Sequence, residues 1–152
     1  MIHLELLLRL QPIQFGGEVP ISLVTDLVIR IAKVAPVYLI TTDQFQSWYT
    51  RQAWSDLGIP TEHLSVDKDA SAYENLRDCV YERRIVPTYS PFLFRELRSL
   101  VRVPNKKVDH PFGASKDLSD AVAGAVFNIT ESMLAMPTPE PPRPPSSSWV
   151  PL

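Results

Sequence analysis

Three aspartates give this chain its most suggestive chemistry. Asp117 and Asp120 stand three residues apart in Ser115-Lys-Asp-Leu-Ser-Asp120. With Ser115 as an N-cap they fall in the first turn of a helix, and at ~100° per residue they share a narrow face with Ala121 and Gly124. Asp43 closes the run Val37-Tyr-Leu-Ile-Thr-Thr42, short and rich in β-branched residues, as expected of a strand buried on both faces. Carboxylates at a strand end and at a neighbouring helix start can together hold Mg²⁺ or Mn²⁺, hard cations that take oxygen ligands. His110, next to Asp109 and just before the turn into the helix, is a candidate metal ligand or proton-transfer group. Each residue also has a plainer role. Asp43 can end the strand or cap the next helix, and acids in a first turn gain about 0.3–1 kcal/mol from the helix dipole. His110 can simply hold a structural hydrogen bond. The three acids taken together are a better signal than any one of them.

The elements that must position these groups are legible as alternating strands and helices. Ile2–Leu10 is strand-like, and Gln14-Phe-Gly-Gly-Glu18 reads as a turn. Ser22 opens an amphipathic helix with Leu23, Leu27, Ile31 and Val34 in its stripe, broadened by Val24 and Val28 and stopped by Pro36. A helix from about Ser47 to Leu57 ends at Gly58. Thr61–Val66 is a further strand, and Ser71–Arg84 is amphipathic with Tyr73, Leu76 and Val80 on one side. Ser90-Pro91 caps and starts a helix that places Leu93, Leu97 and Leu100 inward. The stretch Arg102–Asp109 reads as the last strand. The closing helix carries Leu118, Val122, Ala125, Val126 and Ile129 as its apolar stripe, and its small residues allow it to lie flat on strands. This alternation indicates an α/β sheet domain over residues 1–135. Residues 136–152, dense in Pro and Ser, read as a mobile polyproline-like tail.

Composition narrows the function classes. A net charge of -2 supplies no global basic field for nucleic acid. A local basic surface would have to come from Lys68, Lys106, Lys107, Lys116 and the arginines near 95–102. One cysteine, Cys79, excludes an internal disulfide framework and suits a reducing compartment. The opening residues lack the pattern of a secretory signal, and no apolar run approaches the ~20 residues of a membrane span. The expected setting is therefore cytoplasmic, without a membrane partner. No G-x-x-x-x-G-K-[ST] is present, so the chain has no phosphate-cradling loop of that kind and is not an ATPase by itself. No Ser/His/Asp or Cys/His arrangement stands out. Trp48, Tyr49 and Trp54 could stack on bases, although at helical spacing such residues are more often core.

An ordered set of motifs adds a resemblance. Thr42-Asp43-Gln-Phe-Gln-Ser47 is similar to a strand-end D-G-F-Q-S motif, and Leu64-Ser-Val-Asp67, Tyr73-Glu-Asn-Leu-Arg-Asp-Cys-Val-Tyr-Glu82 and Leu93-Phe-Arg-Glu-Leu97 follow in family order. Lys107-Val-Asp-His-Pro111 and Ser115-Lys-Asp-Leu-Ser-Asp-Ala121 complete it. Over roughly residues 1–130 the chain resembles the C-terminal nuclease domain of tailed-phage terminase large subunits, the DNA-packaging motor. The resemblance implies a ribonuclease H-like mixed sheet flanked by helices, cutting double-stranded viral DNA with two Mg²⁺ or Mn²⁺ ions in the host cytoplasm. By motif match Asp43 takes the strand-end role and Asp117 the helix role, with Asp120 as a neighbour. The implied partners are double-stranded DNA, the terminase ATPase or amino-terminal part, and the portal or small terminase subunit.

The chain also departs from that family. The first-strand Asp has no counterpart here, and Glu5, though in a strand, does not match its motif. Gln44 replaces the Gly that follows the strand-end acid, and the ATPase domain is missing. The expectation is a nuclease domain incomplete on its amino-terminal side, weak or inactive alone and active once the missing part is supplied. The alternative is a catalytically inactive ribonuclease H-like module that docks on the portal, the motor or DNA.

Overall fold

Small residues set how the longest helix packs. In the computed structural model, which describes residues 1–43, 48–103 and 107–135, helix α5 (Asp117–Ala135) buries Leu118, Val122, Ala123 and Val126. A Cβ added at Gly124 would meet Leu64 Cδ2 and Val66 Cγ2 at 3.3 Å each. A glycine here lets the helix rest closely on the Leu64–Val66 segment, whose side chains would have to give way slightly to a Cβ. The other side of α5 packs against α3 (Ser71–Tyr81), which contributes Ala72, Tyr73, Leu76 and Cys79 to the same core. Leu93 of α4 (Pro91–Ser99) closes it.

The remaining elements surround this core. Strand β1 (Ile2–His3) pairs parallel with β4 (Ile85–Val86), in register Ile2 to Ile85. Strand β2 (Ile40–Thr42) pairs parallel with β3 (Thr61–His63), in register Ile40 to Thr61. These two strands are joined by α2 (Trp48–Asp56), making a βαβ unit. Strands β5 (Val101–Arg102) and β6 (Val108–Asp109) form an antiparallel pair. The chain is therefore mixed α/β. Among the described residues its strands form three separate two-stranded pieces. No helix among them is long and apolar enough to cross a membrane.

Local signals place several helix ends, although α1 begins at Ile21 after Pro20 rather than at the expected Ser22. Ser90 Oγ accepts from the Leu93 N–H at 3.2 Å with Pro91 in the first turn of α4, as the Ser-Pro pair predicts. Gly58 follows α2 with a φ of +75°, and the neighbouring Ile59 N–H reaches back to the Trp54 carbonyl at 3.0 Å. Gly16 and Gly17 take positive φ in the predicted turn.

Several boundaries differ from the sequence expectation. Ladder pairing covers only the first two residues of the predicted Ile2–Leu10 strand, and β3 stops at His63 rather than Val66. The stretch predicted as one strand from Arg102 to Asp109 is instead the β5–β6 pair. Helix α3 ends at Tyr81 because Arg83 adopts a left-handed φ of +56°, with the Arg84 N–H returning to the Cys79 carbonyl at 2.8 Å. Reversal at that point frees Ile85 and Val86 to pair with β1. Helix α1 (Ile21–Ala32) has the predicted amphipathic spacing, yet none of its residues is fully buried, and Val34 just beyond it is 86% exposed. Trp54 is core, at 2% exposure. The predicted tail at 136–152, Gln44 and the Trp48 and Tyr49 side chains lie outside the described residues and side chains.

Candidate functional site

Asp43 follows the last residue of β2, while Asp117 and Asp120 occupy the first turn of α5. All three line one open groove of about 1110 Å³. Its walls are mainly apolar: Val24 and Val28 of α1 on one side, Leu64 and Val66 on another, and Ala121 with Gly124 along α5. Ser115 anchors the helix start, its Oγ accepting from the Asp117 N–H at 3.3 Å and lying 2.9 Å from Asp117 Oδ2. Asp117 and Asp43 are both exposed toward solvent.

Asp120 stands in a different environment. The Lys116 ammonium donates to its two oxygens at 3.0 and 2.9 Å, and the Tyr73 hydroxyl donates to Oδ1 at 2.6 Å. Lys116 is nearly enclosed, with its side chain 7% exposed, and its ammonium also donates to Asp67. Asp67 has a second cation, Lys107, at 3.5 Å. The result is a chain of charges running Lys107, Asp67, Lys116, Asp120, ending at the Tyr73 phenol.

The protonation preferences follow. Burial alone would lower the Lys116 pKa, but hydrogen bonds and charge from Asp120 and Asp67 outweigh it and raise the value above its ordinary one. Burial would raise Asp67, but Lys116 and then Lys107 hold its carboxyl below the usual range. Tyr73 is pushed up by burial first and by its bond to the Asp120 carboxylate second, so it stays a neutral donor.

Helix α5 is positioned from below by Glu96. This buried carboxylate accepts from the Ser119 N–H at 2.9 Å, and Ser115 Oγ lies 3.4 Å away. An acid placed against unpaired amides at a helix start complements the dipole and satisfies donors that the helix cannot.

His110 lies apart from this groove. Its ring Nδ1 is 2.9 Å from the Pro111 carbonyl, its backbone N–H donates to Asp109 Oδ1 at 2.8 Å, and it is not a groove-lining residue. Of the basic residues singled out in the sequence, Lys107 and Lys116 are engaged by Asp67, and Lys106 lies outside the described residues.

Comparison with protein-family models, curated proteins and solved structures gives no match. The chemistry of the groove must be read from its own atoms.

Among the described residues, no group of three or more His, Cys, Asp or Glu side chains lies close enough to hold a metal ion. Asp120 is engaged by an ammonium and a phenol rather than left open toward the groove's other acids. Two further groove-lining residues carry buried polar atoms with no partner among the described residues, Thr42 Oγ1 and Trp54 Nε1. Buried polar groups are nearly always paired, so these two sites would accept a water or a ligand atom.

Sequence reasoning missed Asp67, Tyr73 and Glu96 as parts of the site. Asp67 and Tyr73 lie 49 and 47 residues from the groups they bind. The one signal available was their presence in the quoted motifs.

Proposed function

We propose that this chain is part of a terminase-type, ribonuclease H-like nuclease domain that cleaves double-stranded DNA with divalent metal. The observation that supports it is that a strand-end acid, Asp43, and two helix-start acids, Asp117 and Asp120, line the same groove. Two chain segments far apart in sequence thus bring acids to one groove. A structural acid on either element has no need of this.

In this reading Asp43 and Asp117 would hold a divalent cation, which would supply Lewis-acid polarisation of a phosphodiester and of water. The chain's own groups fix the frame. Ser115 and Glu96 lock the first turn of α5, so that Asp117 meets the groove at a set position. Lys116 and Tyr73 hold Asp120 in one rotamer and keep its charge compensated. The first-strand acid of the resembled family has no match here, so a second ion would require a carboxylate from another segment.

Titration calorimetry with MnCl₂ tests the assignment. The expected result is a single weak site, lost in both Asp43→Asn and Asp117→Asn, together with weak Mn²⁺-dependent plasmid nicking abolished by the same changes. Strong nicking that survives both substitutions would overturn the site.

A second reading, a non-catalytic module that docks on the packaging motor or DNA, is favoured by Lys116. Its ammonium provides the positive charge at Asp120 that a metal would otherwise bring. Absence of any Mn²⁺ heat, with folding intact, would select this reading.

A further inference from the structure

Helix α4 presents a surface outside the acidic groove. Tyr89, Pro91, Phe94, Arg95, Arg98 and Ser99 line a shallow depression of about 650 Å³ that contains no carboxylate. Tyr89 is 83% exposed, and its ring lies 6.3 Å from that of Phe94 at a tilt of 47°. Beside it, Phe92 is half exposed between two guanidinium groups, Arg9 at 5.8 Å and Arg95 at 5.7 Å from the ring centroid. None of Arg9, Arg95 and Arg98 makes an ion pair among the described residues. The one acid on the helix, Glu96, is buried and turned toward α5.

Two guanidinium groups and two exposed rings on α4, joined by Arg9 and Tyr89 beside it, form a patch without an ion pair among the described residues, in a chain of net charge -2. An exposed ion pair would cost little to form, so the missing carboxylates leave this positive field for an external anion. Rings alone would suit an apolar partner, and arginines alone any polyanion. The interleaving of both suits a strand whose phosphates meet the arginines while its bases lie on the rings. We infer that the Tyr89–Ser99 surface, with Arg9, binds single-stranded nucleic acid. A duplex keeps its bases stacked on one another and unavailable to Tyr89 and Phe92, whereas an unpaired strand offers a π-face at every nucleotide. The inference stands independently of the metal reading, since it uses no residue of the acidic groove.

The test is fluorescence anisotropy of a labelled oligothymidylate with the full chain in EDTA, which prevents cleavage. The expected result is binding that weakens with salt, with a log–log slope of about -0.7 for each phosphate contact. Arg95→Ala/Arg98→Ala should weaken it roughly tenfold or more and flatten the slope by about 1.4. Tyr89→Ala should weaken the single strand by about fivefold or more while leaving duplex affinity unchanged. All three positions are solvent-facing, so the variants are expected to fold, with circular dichroism as the check. Asp43→Asn/Asp117→Asn should keep full oligonucleotide affinity, which separates this surface from the nuclease assignment. No binding at low salt, affinity unchanged by the arginine substitutions, equal loss for duplex and single strand in Tyr89→Ala, or loss in the groove variant would each overturn the inference.

Discussion

The Lys116 ammonium grips both carboxylate oxygens of Asp120, one helical turn ahead of it, at 3.0 and 2.9 Å. An i,i+4 pair on an open helix surface is worth only about 0.3–0.5 kcal/mol. This one differs because the lysine is enclosed and also binds Asp67, from the segment after β3. The pair therefore ties α5 to the βαβ unit.

Lys116→Met keeps much of the aliphatic stem and removes the charge. Asp67 and Asp120, both partly open to water, would then face each other without their cation. A fully buried pair broken on one side costs about 3–5 kcal/mol, so with this exposure about 1–3 kcal/mol is expected. Urea denaturation measures it. The same variant should regain part of the loss in Mn²⁺, because the two freed carboxylates gain a cation.

The pH profile follows from the directions of shift. Asp67 is lowered in the folded state, so its stabilisation is present above its ordinary value of 3.8 and is lost as the pH falls through the folded value. Lys116 is raised, so its contribution is full below its ordinary value of 10.5 and disappears as the pH rises through the folded one. Urea midpoints should thus stay level between these limits and drop on the acid side below about pH 4. Asp67→Asn should flatten the acid limb, and an unchanged limb would remove Asp67 from the explanation.

Gly124 is open to a graded test. Alanine gains up to about 1 kcal/mol in helix propensity, which the 3.3 Å approaches to Leu64 and Val66 offset, so Gly124→Ala should be close to neutral. Gly124→Val adds two methyl groups to the same contact and should cost about 1–3 kcal/mol. Thermal or urea unfolding of both variants provides the comparison.

Ser90→Ala removes the acceptor for the Leu93 N–H and should cost about 1 kcal/mol. Ser90→Asp, which restores an acceptor at the same position, should recover most of it. Because α4 carries the proposed nucleic-acid surface, the alanine variant should also bind oligothymidylate less tightly in proportion to its helix loss.

Much of this architecture is local and was therefore readable from the sequence. The Ser90-Pro91 start, the end of α2 at Gly58 and the small face of α5 each depend on residues within one or two turns. Short-range bonds and side-chain size decide such features whatever the rest of the chain does. The β4 strand, the β5–β6 pair and the exposed face of α1 were not readable, because pairing and burial depend on which distant segment arrives. The same holds for the site. Sequence alone determined that acids sit at a strand end and a helix start. Only the tertiary structure decided that Asp120 is held by Lys116 and Tyr73, that Asp67 joins them and that Glu96 sits under the helix. Charges compensate each other over a few ångströms of space, and that distance is set by the packing of α3, α4 and α5 rather than by position along the chain.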